Sequence, residues 1–277
     1  MPVLQCGNKI VDLSEPVVMG ILNVTPDSFS DGGCFIELEA ALAQGRQMVA
    51  EGVAIIDIGG ESTRPGAEAV SVATELQRVI PLIKLLAQEL SVPISIDSSK
   101  PEVMRAAVEA GAGMVNDVFA LQAPQALETV AELKVPVCLM HMQGEPRTMQ
   151  MSPYYGNVVQ EVADFLNQKV AVCLAAGIEA KNILLDPGFG FGKSLQHNLV
   201  LLKNLSQLRE LGFPLLVGLS RKRMIAAVLK NAPLEARLQG SVAAALMAVM
   251  QGAKIVRVHD VKATVEALSL YRAVNNA

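Results

Sequence analysis

The sequence predicts a single (β/α)8 barrel of the TIM type, and three observations support that prediction. Its 277 residues match the usual size of one such barrel. Short apolar runs alternate about eight times with segments of helical periodicity, which predicts parallel strands joined by right-handed crossovers. Each run ends in polar residues, as at the carboxyl ends of barrel strands. We expect one domain over residues 1–277, with an open doubly wound sheet as the alternative fold.

The first half of the chain predicts four strand–helix units. The second strand shows the pattern well, because Ile55, Ile56 and Ile58 have the β-branched character of a strand buried on both faces. Apolar spacing predicts helices over residues 38–49 and 72–90, with Pro81 marking a start or a kink. We expect Ser98 or Ser99 to cap the helix that has Pro101 in its first turn. The predicted strands are residues 17–22, 54–58, 93–96 and 113–115, with polar ends at Asn23, Asp57, Asp97, and Asn116 with Asp117.

The second half of the chain repeats the alternation. Helices are predicted over residues 158–176, from Met224, from Leu234, and from Val261 to the end of the chain. Residues 242–250 form the longest apolar run, about half a membrane span, which predicts a buried helix rather than a membrane segment. The predicted strands are residues 135–140, 183–185, 214–219 and 254–256, followed by His141, Asp186, Ser220 to Arg223, and Arg257 with His259.

The bulk composition excludes several classes of protein. A net charge of −4 leaves no basic stripe to displace counterions, so no nucleic-acid partner is expected. Hydrophobic residues at 51% and charged residues at 18% suit an α/β core of Ala, Val, Leu and Ile. The amino terminus lacks the pattern of a signal peptide, and no membrane association is expected. We expect reduced thiols and a cytoplasmic location, because no CxxC pair occurs among Cys6, Cys34, Cys138 and Cys173.

The polar residues at the strand ends predict a binding pocket. Any one of them is most often a helix cap, but on a barrel their side chains converge. Carboxylates together with Asn116 suit the edge of a flat heterocycle that carries amino and ring N–H groups, which a carboxylate grips with two hydrogen bonds. The set is Asn23, Asp57, Asp97, Asn116, Asp186, Lys222, Arg257 and His259.

Four cations follow the last two predicted strands, where barrels of this kind often bind phosphate. They are Arg221, Lys222, Arg223 and Arg257. With Arg64 and His259 they would compensate the charge of a diphosphate in a chain that is acidic overall. The alternative for Arg221 and Arg223 is that either one is a solvated residue at a helix start.

Residues 187–194 form a glycine-rich segment that ends in Gly-Lys-Ser. The spacing does not match a phosphate-binding P-loop, because Pro187 stands where the first glycine should be. We interpret the glycines as permitting close backbone approach, with Phe189 or Phe191 available to pack on a flat ring. His141 either lines the pocket or packs beside Met140, and His197 is expected to be structural. No hydrolase triad, HExxH helix or dinucleotide fingerprint is present.

Five segments spread over the chain closely resemble the dihydropteroate synthases. They are residues 19–33 (MGILNVTPDSFSDGG), 57–66 (DIGGESTRPG), 186–193 (DPGFGFGK), 218–222 (GLSRK) and 257–259 (RVH). The resemblance implies a (β/α)8 fold and an enzyme that joins 6-hydroxymethyl-7,8-dihydropterin diphosphate to 4-aminobenzoate with release of diphosphate. It also implies Mg²⁺, a homodimer and inhibition by sulfonamides.

The resemblance further implies roles for individual residues. A pterin site would contain Asp97, Asn116, Asp186, Lys222 and Arg257, with Met140 and Phe191 beside them. Diphosphate would contact Asn23, Arg64, Arg257 and His259, and Asn23 would also contact the metal. The 4-aminobenzoate site would contain Phe29, Thr63, Pro65, Ser220 and Phe191. Catalysis would depend on Lys222, Arg64, Thr63 and Asp97.

Two rival functions remain open on the sequence alone. A pterin-dependent methyltransferase acting on a corrinoid protein would share the pterin-binding acids but has no use for cations that hold diphosphate. A non-catalytic paralogue would be expected to lose loop residues, yet Asn23, Thr63 and Arg64 are all present.

Overall fold

Eight parallel strands form the centre of the molecule, a computed structural model that describes residues 3–24, 34–62, 69–144 and 149–277. The chain starts with a hairpin of β1 (Val3–Cys6) and β2 (Lys9–Asp12). The parallel strands are β3 (Val17–Asn23), β4 (Ile55–Gly59), β5 (Ile94–Asp97), β6 (Met114–Asp117), β7 (Val137–Met140), β8 (Ile183–Asp186), β9 (Leu216–Gly218) and β10 (Ile255–Val258).

The sheet closes on itself. Its order is β8-β7-β6-β5-β4-β3-β10-β9, and every strand neighbour within it is parallel. A parallel bridge between Leu185 and Leu215 joins β8 to the start of β9, and the Leu185 N–H donates to the Pro214 carbonyl at 3.0 Å. The predicted barrel is therefore confirmed over the open sheet.

Helices surround the barrel, and each of its strands is followed by at least one. Ser71, Asn157 and Ser194 cap three of them by accepting backbone N–H bonds. His197 is structural as predicted, because it completes the capping box with Ser194. The helices are α1 (Cys34–Ala50), α2 (Val72–Glu89), α3 (Pro101–Glu109), α4 (Ala126–Leu133), α5 (Val158–Ala175), α6 (Leu195–Lys203), α7 (Arg223–Val228), α8 (Leu238–Met250) and α9 (Val261–Asn275).

Two local predictions need correction and a third is narrowed. Pro81 lies inside α2, so of its two predicted roles the helix start is excluded. Neither serine caps α3, whose N-cap residue is Lys100. Ser99 instead donates to the buried carboxylate of Asp117, which requires donors in the absence of water. The apolar run in α8 is buried on one face only, with Met247 55% exposed. Among the described residues, we find no helix with the length and apolar character needed to span a membrane.

The β1–β2 hairpin, which the sequence did not reveal, closes the amino-terminal end of the barrel. Its burial alternates along each strand, so Leu4, Cys6 and Val11 point inward while their neighbours face solvent. These side chains and Leu13 pack in one apolar cluster with Met19, Ile55, Met114, Cys138, Leu184, Leu216 and Ile255 of the barrel strands. The lower end of the interior is therefore a packed core.

Alternate residues of each strand point into the barrel, and this alternation places the apolar core and the site in successive layers of its interior. Side chains two residues apart point to the same face, so each inward residue of the lower layer has a partner one layer higher. On β4, Ile55 belongs to the lower cluster and Asp57 stands above it; on β10 the pair is Ile255 and Arg257. The same step leads from Met114 to Asn116, from Cys138 to Met140 and from Leu184 to Asp186. The barrel interior thus changes from apolar to charged within one layer.

Candidate active site

Arg257 lies at the centre of the polar upper layer. Its Nε donates to Asp57 Oδ2 and its Nη2 donates to Asp97 Oδ2, both at 2.6 Å. The side chain is 19% exposed, so one edge reaches the open end of the barrel. Burial opposes the charge, but the two carboxylates outweigh it and raise the pKa of Arg257 above its usual value. The guanidinium therefore stays charged and ties three strands together.

Asp57 also orients the amide side chain of Asn116 on β6. Its Oδ2 also accepts a hydrogen bond from Asn116 Nδ2 at 3.0 Å. Because an ionised carboxylate only accepts hydrogen bonds, the amide group of Asn116 must face Asp57 with nitrogen, which directs its oxygen elsewhere. Asp57 is fully buried, and its Oδ1 has no hydrogen-bond partner within the described part of the chain. The resemblance assigned Asp57 no role, whereas the structure gives it two contacts to predicted pterin-site residues.

Asp97 and Asn23 lie side by side at the rim of this layer. The Asn23 Oδ1 is 3.1 Å from the place where a β-carbon on Gly59 would lie, and an Asp97 oxygen is 3.7 Å from the same point. A side chain at Gly59 would therefore push between them. Burial, together with neighbouring Asp57, raises the pKa of Asp97 to about 7 although Arg257 acts in the opposite direction.

Asp186 and Lys222 form the other side of the site. Asp186 Oδ1 accepts from the Gly188 N–H at 2.7 Å, and burial raises the pKa of the Asp186 carboxyl. Lys222 donates to the Phe189 carbonyl, and its Nζ lies 4.6 Å from the centre of the Phe191 ring, a cation–π contact. Burial lowers the pKa of Lys222 to about 8, partly offset by Asp186.

The structure decides two alternatives that the sequence left open. Phe189 is fully buried in the core, so Phe191, which is half-buried beside Lys222, is the ring available to a ligand. His141 packs rather than lines the site, because it is buried against Phe165 with ring centres 4.9 Å apart. Met140 is buried in the upper layer, where it was predicted to line the pocket.

The four late cations divide into two groups. Arg221 forms a double hydrogen bond with Asp260, at 2.9 and 2.5 Å, and Arg223 is exposed at the start of α7. Of the four, Arg257 contacts two carboxylates of the acidic layer, and Lys222 lies near enough to Asp186 for that carboxylate to influence its pKa. His259 follows β10, and its Nδ1 is 3.0 Å from the hydroxyl of Ser220. The pairing with Asp260 favours a structural role for Arg221, and its place among the diphosphate cations stays a prediction.

The remaining predicted site residues lie outside the described residues. They are Phe29, Thr63, Arg64 and Pro65, which belong to residues 25–33 and 63–68. Their roles stay predictions from the resemblance. The chain leaves the barrel for the second of these segments directly from the carboxyl end of β4, beside the polar layer.

Comparisons with known proteins agree with this geometry. Residues 19–259 match the family described as pterin binding enzyme. A dihydropteroate synthase of Haemophilus influenzae is 55% identical over 274 residues, which cover 99% of each chain. A dihydropteroate synthase of Xanthomonas albilineans, solved with 4-aminobenzoic acid, superposes with a TM-score of 0.95 at 53% identity, covering 100% of this chain and 99% of that one. The Yersinia pestis enzyme, solved as a sulfonamide drug complex, has a TM-score of 0.95 at 52% identity, covering 99% and 100%.

Proposed function

Because the chain belongs to the family of pterin-binding enzymes, and specifically to its dihydropteroate synthases, we propose that its strand-end site is where the dihydropteroate synthase reaction takes place. The enzyme is a transferase that joins 6-hydroxymethyl-7,8-dihydropterin diphosphate to 4-aminobenzoate and releases diphosphate. The observation that carries the assignment to this site is the acidic layer around Arg257, with Lys222 opposite it.

The acidic layer supports a pterin-binding role for Asp97, Asn116 and Asp186. Asp186 holds the Gly188 N–H with Oδ1, which leaves its second oxygen to accept from a ligand. The Asn116 nitrogen is held by Asp57, so its carbonyl oxygen faces the ligand. A pterin carries amino and ring N–H donors along one edge and a carbonyl oxygen that Lys222 would bind. The ring itself would lie against Phe191 and Met140, beside the edge of Arg257.

The cations support a site for the diphosphate at the open end of the barrel. Arg257 has one exposed edge there, and His259 follows it on the same strand end. Arg64 and Asn23 are proposed to complete the diphosphate contacts. Since the chain carries a net charge of −4, local cations are required for a dianionic or trianionic group to bind.

The chemistry needs no protein nucleophile. The bond between the pterin methylene carbon and the diphosphate oxygen breaks, its electron pair leaves with diphosphate, and the neutral aryl amine then attacks the methylene. The amine loses one proton as the new C–N bond forms. We propose that diphosphate departs first, so that the residues with most influence are those that stabilise the leaving charge and the electron-poor methylene. The segment that carries Thr63 and Arg64 would exclude water from that methylene.

Mg²⁺ fits the donors that the site offers. Mg²⁺ commonly takes one or two protein oxygen atoms, substrate phosphate oxygens and water. The Asn23 amide oxygen, at the rim beside Asp97, is a donor of this kind. No cluster of three or more His, Cys, Asp or Glu side chains suited to a metal occurs in the described ranges, which favours a site shared with the substrate. Bound there, Mg²⁺ would neutralise charge on the diphosphate.

The second substrate is proposed to bind between Ser220, Phe191 and the predicted residues Phe29, Thr63 and Pro65. Phe191 stands beside Lys222, and Ser220 is held by the His259 ring. Sulfonamides would occupy the same place, since the Yersinia pestis relative is a sulfonamide drug complex.

Two further proposals concern the whole chain. A homodimer is supported by the exposed apolar side chains on the last helices, including Met247 and Met250 of α8 and Leu270 and Val274 of α9, which are 55–69% exposed. A cytoplasmic location is supported by the thiols of Cys6, Cys138 and Cys173, which are buried and unpaired.

A reconstitution experiment tests the function. The purified chain is incubated with the dihydropterin diphosphate, 4-aminobenzoate and Mg²⁺, with each component omitted in turn, and the products are identified by mass spectrometry. We expect dihydropteroate only when both substrates are present, and a strong decrease in the Lys222→Met variant. Binding of the pterin without any product would point to a non-catalytic paralogue. A methyltransferase would bind the pterin but not free diphosphate.

A further inference from the structure

Lys193 ends the glycine-rich loop, residues 187–193, but its side chain does not enter the site. It is 2% exposed, and its Nζ lies 2.8 Å from His141 Nδ1, 2.9 Å from the Gly188 carbonyl and 3.1 Å from the Phe191 carbonyl. A longer contact joins the same nitrogen to the His141 carbonyl at 3.5 Å. Burial lowers the pKa of Lys193 well below its usual value. An amine has two N–H donors even when it is neutral, so the Gly188 and Phe191 carbonyls stay hydrogen-bonded in either charge state. These contacts form a clamp on the loop.

His141 forms one of these contacts through a neutral ring. Burial, together with Lys193, lowers the pKa of His141 to about 3. A neutral imidazole has one N–H and one acceptor nitrogen, so Nδ1 can pair with the lysine nitrogen in either tautomer. The edge-to-face contact with Phe165 fixes the ring plane. The His141 ring is thus held in position from outside the loop.

The Lys193 contacts help to set the direction of the loop peptides. Gly188, Gly190 and Gly192 all have positive φ, at 67°, 80° and 59°, so the peptide groups between them alternate in direction. The Gly188 and Phe191 carbonyls point to Lys193, whereas the Phe189 carbonyl points to Lys222. A β-carbon on Gly188 would lie 1.8 Å from the His141 carbonyl oxygen, so this conformation leaves no room for a side chain there.

We propose that Lys193 is a positioning residue for Lys222. By holding the carbonyls on both sides of Phe189, it turns the Phe189 carbonyl and the Phe191 ring toward the Lys222 ammonium, and so fixes that ammonium where it meets the pterin. Lys193 itself touches no substrate. This inference rests on the proposed function, because the pterin is the ligand that Lys222 would bind.

Other loop contacts provide a comparison. The Tyr155 hydroxyl donates to the Gly192 carbonyl at 2.9 Å, and the Gly190 N–H donates to Asn198 Oδ1 at 2.7 Å. The Gly190 N–H belongs to the same peptide group as the Phe189 carbonyl, so its bond to Asn198 supports the orientation of that carbonyl together with Lys193. The Gly192 carbonyl belongs to a later peptide group, so the Tyr155 bond holds the loop without acting on the Phe189 carbonyl. Tyr155→Phe therefore removes a loop bond of similar length without altering the contact that orients Lys222.

A double-mutant cycle tests the inference. Affinity for 6-hydroxymethyl-7,8-dihydropterin, which lacks the diphosphate, is measured by calorimetry for the wild type, Lys193→Met, Lys222→Met and the double variant. We expect about a tenfold loss for Lys193→Met, the equivalent of one charged hydrogen bond. The double variant should bind no more than about twofold more weakly than Lys222→Met, because residues that act through one contact are not additive. Tyr155→Phe and the exposed Lys203→Met should remain within about twofold of the wild type.

Each outcome has a distinct meaning. Full additivity of Lys193→Met and Lys222→Met, or an unchanged affinity in Lys193→Met, would overturn the positioning role and leave the function intact. A wild type that does not bind the pterin would overturn the function itself. If circular dichroism shows that Lys193→Met does not fold, His141→Leu replaces it in the cycle. This variant removes the ring contact, leaves the backbone carbonyls of residues 141, 188 and 191 near the lysine nitrogen, and should show the same non-additivity with Lys222→Met. Additivity of His141→Leu would likewise overturn the proposal.

Discussion

The two ends of the barrel interior are built from the same strands but have opposite chemistry. At the amino-terminal end, Leu4 and Val11 of the hairpin join an apolar cluster in which every member is buried. At the carboxyl-terminal end, two residues further along the strands, Asp57, Asp97 and Arg257 form a charged network. Apolar packing stabilises the fold, whereas buried charges seldom add net stability and persist where binding needs them. The stability of the enzyme and its activity therefore depend on different layers of one barrel.

Strand β8 shows the difference within three residues. Leu184 is fully buried in the lower cluster, and Asp186 is 6% exposed in the upper layer on the same face of the strand. A substitution at Leu184 should lower the free energy of unfolding, and one at Asp186 should lower the affinity for ligand.

The largest effect is expected when Arg257 is removed. Arg257→Met leaves the carboxylates of Asp57 and Asp97 buried without their cation, which costs about 3–5 kcal/mol of unfolding free energy. Urea denaturation at pH 8 measures it. Adding Asp57→Asn should restore part of the loss, because a neutral amide needs no counter-charge, while activity stays absent.

A surface arginine provides the matched control for this experiment. Arg105 pairs with Glu132 at 2.7 Å, but its side chain is 45% exposed, so Arg105→Met should cost less than about 1 kcal/mol. If Arg257→Met were as stable as Arg105→Met, the charged layer would not be the connected network that its distances indicate.

Leu184→Ala should produce the next largest effect. Truncation of a fully buried leucine creates a cavity and typically costs about 3 kcal/mol of unfolding free energy. Affinity for the pterin, measured on the folded fraction, should remain within about twofold of the wild type, since the cavity lies one layer below the site. Leu174→Ala, at a side chain of α5 that is 44% exposed, is the control and should leave stability nearly unchanged. A loss of pterin affinity in Leu184→Ala would show that the two layers are coupled.

Asp186→Ala is expected to have the reverse pattern. Its carboxylate would form paired hydrogen bonds to the pterin edge, each contributing roughly 1.5–3 kcal/mol, so affinity should fall about 100-fold or more. Calorimetry with 6-hydroxymethyl-7,8-dihydropterin measures it. Asp186→Asn should retain part of the affinity because one acceptor oxygen remains. Near-normal binding in Asp186→Ala would show that the pterin edge does not bind on this side of the barrel. The exposed Asp164→Ala serves as control.

The sequence was sufficient to predict the barrel and most of the charged layer. A strand that ends in a carboxylate or amide places that group at the carboxyl rim whatever its exact register, so Asp97, Asn116 and Asp186 lie where predicted. The motifs and their resemblance to the dihydropteroate synthases then supplied the substrate, which alternation of strands and helices alone does not.

The remaining features depended on contacts between distant segments. The hairpin strands, VLQC and KIVD, contain no continuous apolar run like those of the barrel strands, and their role appears only when Leu4 meets the bottom of the barrel. The pairing of Arg221 with Asp260 joins residues 39 positions apart. Which of Phe189 and Phe191 faces the site depends on the backbone of the glycine-rich loop, where every second residue is a glycine with positive φ. The sequence pattern does not indicate which of these distant residues come into contact.

The smallest expected effect is a pH dependence confined to the charged layer. Burial raises the pKa of Asp97 to about 7 and lowers the pKa of Lys222 to about 8. Below pH 7 Asp97 becomes protonated, so it loses its charge and one of its two acceptor oxygens. Above pH 8 Lys222 loses its charge, which weakens its hydrogen bond to the pterin. Affinity for 6-hydroxymethyl-7,8-dihydropterin should therefore be highest between pH 7 and 8 and fall up to about tenfold per pH unit on either side.

Two variants test which residue causes the loss of affinity on each side of the pH optimum. Lys222→Met should abolish the decrease above pH 8 and keep the decrease below pH 7, whereas Asp97→Asn should do the opposite. Leu184→Ala should keep both limbs, because the lower cluster of which Leu184 is part contains no Asp, Glu, Lys, Arg or His. An affinity that is flat from pH 6 to 9 in the wild type would mean that Asp97 and Lys222 do not meet the pterin in the charge states that the binding geometry requires.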